Sequence, residues 1–325
     1  MSVRFGSFAK SLFFGAFCGV AYGVAIQVFA RFFMKNSEKF GTGVLVMSLA
    51  YVFFLPMVIG AVHVYIRSRV AMPGFVAATF EPMLPALLCL VFSLLVHWEG
   101  TICLAMAFPV MLLMAALGGV IMRIVLGTRS KHLVFAAFTI LPVPLALAEQ
   151  SLPLPYEKQT VQNTINIKAP ARTVWQKIVR VEKITEPQQS VFFDMGFPKP
   201  IEAVLSGNGV GQTRQATFER GLTFVETVTD WKENERLAFT IKADPKATPL
   251  TTLDEHVTVG GKFFDVLNGR YDIEWAGNGV YLHLTSEHRI STHYNFYTRL
   301  WSRFLMNEIQ KNILRVIKQR AEASA

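Results

Sequence analysis

The chain has 325 residues, of which 52% are hydrophobic and only 17% charged, with a mean hydropathy of +0.35. Ordinary soluble domains sit near 45–50% apolar and about 25% charged, so neither a wholly soluble nor a disordered chain fits. The imbalance is local: residues 1–150 carry 10 Lys and Arg against 4 Asp and Glu, while residues 151–325 carry 22 against 19. The first part reads as a membrane domain and the second as one water-soluble domain.

Membrane spans need about 20 mainly apolar residues, and five stretches qualify: 12–33, 44–66, 75–97, 102–126 and 133–148. The first ends in Arg31-Phe32-Phe33-Met34-Lys35, not in a small-residue cleavage site, so it reads as a retained helix and not a signal peptide. Its small residues Gly15, Gly19 and Gly23, like Gly118-Gly119 in the fourth, suit close helix approach. Glu81, Pro82 and Pro85 predict a kink in the third or a shorter helix from Met83. Pro142 and Pro144 interrupt the fifth, so four spans is the alternative. Glu81 is placed at a helix start in the headgroup region, more readily than in a functional intramembrane site. Lys and Arg of the short loops number seven on the side of Arg4 and five on the other, counting Lys158 and Lys168. That bias places the N-terminus in the cytoplasm and the soluble domain outside. The expected setting is a bacterial inner membrane, with the lipid bilayer as partner.

Residues 151–159, opening Ser-Leu-Pro-Leu-Pro, form a stiff linker. Residues 160–325 then alternate in strand fashion. Thr160–Lys168 is a strand, Ala169-Pro170 breaks it, and Ala171–Val179 is a helix. Glu182–Gln189 is turn-rich. Strands follow at Ile201–Leu205, Gly211–Glu219, Leu222–Trp231, Arg236–Ala243, Glu255–Gly260, Gly269–Ala276 and Val280–Ile290. The chain closes in one helix, Tyr294–Arg320. Tyr294, Tyr297, Trp301, Phe304/Leu305, Ile309, Ile313 and Val316 recur on it every three to four residues.

The hairpin Gly211–Trp231 can be placed in register. A loop at Glu219-Arg220-Gly221 pairs Phe218 with Leu222, Ala216 with Phe224 and Arg214 with Glu226, all on one face. That face should look toward the closing helix. Arg214 and Glu226 then make either a ligand-orienting charge pair or a plain cross-strand ion pair. A curved antiparallel sheet under one long helix leaves a cavity between them. Gly260-Gly-Lys-Phe-Phe-Asp265 is either an apolar-tipped loop at its mouth or an ordinary bulge. The expected cavity lining is Arg214, Ala216, Phe218, Phe224, Glu226, Phe263, Phe264, Tyr297, Trp301 and Leu305.

Catalytic signatures are weak. No serine has a Gly-x-Ser-x-Gly setting. His283 and His288 fall on opposite faces of a strand and make no metal site. The glycine run Gly207–Gly211 leads into a strand, without the helix N-terminus a phosphate loop uses. Cys18, Cys89 and Cys103 all lie in apolar stretches. No cofactor, metal or nucleic-acid partner is expected.

Three segments, with the closing helix, carry a family likeness: Ile165-Asn-Ile-Lys-Ala-Pro-Ala-Arg-Thr-Val-Trp175, Gly209-Val-Gly-Gln-Thr-Arg214 and Glu226-Thr-Val-Thr-Asp-Trp231. Together they resemble the START-like, or SRPBCC, superfamily of polyketide cyclase/dehydrase and lipid-transport domains. The likeness covers about residues 160–321. The N-terminal half looks like the multi-span region ahead of such domains in bacterial membrane proteins, with Trp98-Glu-Gly-Thr-Ile-Cys103 as the matching segment. The resemblance implies a helix-grip fold, an α-helical transmembrane bundle ahead of it, and a cavity for a lipid, isoprenoid or aromatic ligand. It brings no catalytic residues. Binding or transfer of such a hydrophobic molecule is therefore the first expectation. A cyclase- or dehydratase-like enzyme using Arg214, Glu226, His283 or His288, and a scaffold binding protein through the last helix, are the alternatives.

Overall fold

The computed structural model describes residues 2–36, 46–243 and 258–325. It divides into two compact units, Met1–Pro153 and Leu154–Ala325.

The first unit is helical: α1 (Ser2–Asn36), a five-residue π turn (Ala50–Phe54), α2 (Leu55–Arg67), α3 (Phe75–Phe80), α4 (Met83–Leu95), α5 (Thr101–Val125), α6 (Lys131–Ile140) and α7 (Pro142–Glu149). Among the described residues, four segments are long and apolar enough to cross a membrane: Ala9–Phe32, Ala50–Arg67, Phe75–Leu95 and Thr101–Val125. The pair α6–α7, bent by 41°, makes a fifth if it counts as one span. The expected start of the second stretch at Val44 falls outside the described residues. The third breaks at Glu81-Pro82, where proline cannot continue the helical ladder. Pro109, by contrast, sits inside an unbroken α5.

Small residues set the helix spacing. A methyl on Gly60 would land on the backbone carbonyl of Ala115, and one on Gly118 on that of Met57, so α2 and α5 cross backbone to backbone. A methyl on Gly119 would strike Ala78, and Gly23 of α1 faces Cys89 and Ile59. Glu81 sits in the break after α3, just ahead of α4. Its carboxylate accepts from Arg67 Nε at 2.8 Å and lies 3.5 Å from His63 Nε2, and Arg67 is 3% exposed. Arg67 is thus engaged in an internal ion pair, although the orientation argument counts it as a loop charge.

The second unit is β1 (Glu157–Ile167), α8 (Ala171–Val179), α9 (Val191–Asp194), β2 (Pro200–Leu205), β3 (Thr213–Phe218), β4 (Thr223–Lys232), β5 (Arg236–Ala243), β6 (Phe264–Trp275), β7 (Val280–Ile290) and α10 (Asn295–Ala323). β1 starts three residues before the expected Thr160, which shortens the linker. Half of the strand expected at Glu255–Gly260, residues 255–257, lies outside the described residues; Val259 forms an isolated bridge to Phe264.

The described strands run antiparallel in one sheet, ordered β1-β7-β6-β5-β4-β3-β2. Bulges at Pro200/Glu202, Val228/Asp230 and Val266/Asn268 add local twist and curl the sheet. The β3–β4 register matches expectation: Arg214 faces Glu226 and Ala216 faces Phe224. Its loop turns through Arg220 at φ 58° and Gly221 at φ 81°, left-handed values that glycine adopts readily.

The C-terminal part of α10 closes one end of the core. Leu314, Ile317 and Ala321 pack with Ile167, Val174, Trp175 and Ile178. Arg320 holds the Glu182–Gln189 segment against α10: it donates to both carboxylate oxygens of Glu186 at 2.6 and 2.8 Å and to the carbonyls of Glu182 and Lys183. A curled seven-strand antiparallel sheet around a long C-terminal helix fits the helix-grip arrangement.

Candidate functional site

Between α10 and the concave face of the sheet lies a cavity of about 150 Å³, with predominantly apolar walls. β3 and β4 contribute Arg214, Ala216, Phe218, Phe224 and Glu226, because alternate residues of a strand share a face. Phe264 of β6 and Leu305 of α10 also border it. One helical turn after another, Ile309, Ile313 and Val316 continue the α10 wall.

Three expected residues stand elsewhere. Phe263 is buried but off the cavity wall. It lies in the bend that precedes β6, before strand alternation sets in at Phe264. Tyr297 and Trp301 lie on the same helical stripe as Leu305, two turns and one turn before it. The stripe runs past the cavity, whose α10 wall begins at Leu305.

One buried polar group dominates the wall. Arg214 and Glu226 are 4% and 7% exposed. Arg214 Nε donates to Glu226 Oε2 at 2.5 Å and its Nη1 donates to the carbonyl of Ile178 at 2.5 Å. The guanidinium also lies 4.6 Å from the centroid of Phe239. Burial pushes the Glu226 carboxyl up and Arg214 pulls it back. Burial works against the charge on Arg214 too, but Glu226 and then Tyr271 hold it above the usual arginine value. Removing both charges from water is costly, and each is offset only because the other is in contact. Beside them the Tyr271 hydroxyl is pushed up to about 12 by burial.

A second polar line crosses the wall. Gln310 Nε2 donates to Ser286 Oγ at 2.9 Å and to the Val161 carbonyl, and Asn163 Nδ2 donates to Gln310 Oε1 at 2.7 Å. Tyr271, Ser286, Gln310 and Glu202 border the cavity and were not expected to. Tyr271 was accessible from the alternation Gly269, Tyr271, Ile273 within one strand. Gln310 sits one residue off the apolar stripe and had no such signal.

The histidines separate by face as expected. His283 points outward, hydrogen-bonded with Thr164 at 2.8 Å and 3.2 Å from exposed Glu274. His288 points inward, fully buried, 3.0 Å from Ser302 Oγ, and burial with nearby Arg303 lowers it to about 4. Neither borders the cavity. Arg214 and Glu226 do, but their contact occupies the groups an acid–base pair would need.

No family model and no curated protein matches the sequence. Solved structures of similar shape include a protein from Thermus thermophilus, at 14% identity and TM-score 0.34, covering 51% of this chain and 99% of that one. Others are the di-domain ARO/CYC BexL of the BE-7585A biosynthetic pathway (14%, 0.33, 59% of this chain and 60% of that one) and the Aha1 dimer from Colwellia psychrerythraea (15%, 0.29, 50% and 96%).

Proposed function

We propose that this protein is a membrane-anchored binder or carrier of a hydrophobic molecule (a lipid, isoprenoid or aromatic), held in a START-like, SRPBCC-type domain. The observation that carries the reading is the apolar cavity between α10 and the sheet. A dry apolar cavity of roughly 150 Å³ admits benzene, so this one takes a ring or a short branched chain as it stands. Burying an apolar ligand contributes about 25 cal/mol per Å², and no charged anchor is required.

The anchor in this account is the helical unit, inserted through its four or five apolar segments into a bacterial inner membrane, with the N-terminus cytoplasmic and the second unit outside. Phe296, Leu300 and Phe304 of α10 are 61%, 65% and 43% exposed. They recur every fourth residue with Arg299 and Arg303 among them, the layout of a helix resting on an anionic interface. That placement favours loading from the bilayer itself.

The test compares wild type with Ala216→Trp, which fills the cavity from β3. Both full-length proteins are purified from membranes and extracted, and the extracts are compared by mass spectrometry. A small apolar species enriched with wild type and depleted with Ala216→Trp supports binding. Identical extracts reject it.

A further inference from the structure

The charges around the cavity carry one step further, and this step rests on the ligand-binding reading above. Among the described residues, the charged side chains that face the free space are Arg214 and Glu226. Arg214 is committed before any ligand arrives, through Nε to Glu226 and through Nη1 to the Ile178 carbonyl. Glu202 also borders the space, but it pairs with Thr217 while its neighbour Ala203 pairs with inward Ala216, so its carboxylate lies on the opposite face of the sheet. The wall therefore offers one cation and one anion that already answer each other.

A carboxylate entering this space would lose its hydration, which is expensive in an apolar site. Among the described residues it would find no unanswered positive charge, and it would face the Glu226 carboxylate. An uncharged oxygen loses only a hydrogen bond to water and can recover one. Ser286 Oγ accepts from Gln310 Nε2 at 2.9 Å, which leaves the hydroxyl proton of Ser286 to donate inward.

We infer that the cavity selects uncharged apolar molecules bearing a hydroxyl, ketone or ester oxygen and turns away the corresponding carboxylic acids at neutral pH. Within a lipid or aromatic series, the alcohol or ester is the ligand and the free acid is not.

A matched pair of photolabels tests this: the trifluoromethyl-diazirine derivative of benzyl alcohol and the same derivative of benzoic acid. Each is irradiated with the full-length protein in lipid nanodiscs, and adducts are mapped by peptide mass spectrometry. The alcohol should label peptides of β3, β4 and α10 at least about tenfold more than the acid. Glu226→Gln leaves the Arg214 charge unanswered and should raise acid labelling of those peptides about tenfold. Equal labelling of the wild type by acid and alcohol overturns the inference, and this arm decides even if the variant does not fold. An acid signal in folded Glu226→Gln that stays at the wild-type level also overturns it. Alcohol adducts confined to the apolar helices, with none on β3, β4 or α10, overturn the ligand-binding reading instead.

Discussion

Breaking the Arg214–Glu226 pair should destabilise the second unit more than any exposed ion pair can. In Glu226→Gln the guanidinium stays buried, 4% exposed, held by the Ile178 carbonyl and the Phe239 ring but with no counter-charge. At an effective dielectric near 20, opposite charges about 4 Å apart attract by about 4 kcal/mol. Removing one member of a buried pair costs roughly 3–5 kcal/mol in practice. For a unit of this size each kcal/mol moves Tm by about 2–4 °C, so Glu226→Gln should lower it by roughly 6–20 °C. The chain suits a fluorescence assay: of its five tryptophans only Trp98 lies in the first unit, and Trp175 meets Trp231 edge to face at 5.1 Å in the core of the second. In a Trp98→Phe background, emission reports the second unit alone. Replacing both partners with apolar residues, Arg214→Met with Glu226→Leu, should recover most of the loss. A Tm change below about 2 °C for Glu226→Gln would refute the argument, because it would mean the pair is wet and weakly coupled.

Three further outcomes follow from the same structure. His288, lowered from 6.5 to about 4 by burial, is neutral when folded. Its contribution is complete above pH 6.5 and is lost as pH falls from 6.5 toward 4, about 3 kcal/mol in all. Glu226 and Asp265, raised by burial, act in the opposite sense, so urea titrations of wild type against His288→Gln isolate the histidine; parallel pH profiles would contradict its assignment. In the helical unit Gly118→Val drives a side chain into the Met57 backbone and should cost more than the roughly 1–3 kcal/mol of ordinary overpacking. Gly74→Ala meets nothing within 4 Å and serves as the control in a thermal size-exclusion assay. Finally, Leu300→Glu with Phe304→Glu should abolish quenching of Trp301 by brominated lipids in Trp98→Phe nanodiscs, whereas unchanged quenching would remove α10 from the interface.

The hairpin and the histidine faces were legible because strand alternation is local and strict: Phe218 and Leu222 flank a loop that only one register satisfies. The closing helix was legible as an element, but not where its stripe meets the cavity, since 3.6-residue periodicity says which residues share a face and not how far the partner sheet extends. Hence the stripe carries Tyr297 and Trp301 past the cavity, while Gln310, one residue off the stripe, borders it without any local signal. The first half of β6, Phe264–Asn268, was hidden by the bulge at Val266/Asn268, which interrupts alternation and reads as loop. The helix Val191–Asp194 is too short to show any period. Arg67 ends α2 and Glu81 lies 14 residues on, in the break between α3 and α4, so no local pattern foretells their ion pair. It exists because α2 and α3 both pack against α5, with Ala61, Val64 and Ala78 gathered around Met122.

The most direct measurement of the central claim is an experimental structure of the full-length protein purified from its own membranes without added ligand. The account predicts elongated or ring-shaped density between Phe224, Ile309 and Ile313, ending near Ser286. Side chains collapsed onto one another across that space, with no density between α10 and the sheet, would contradict it.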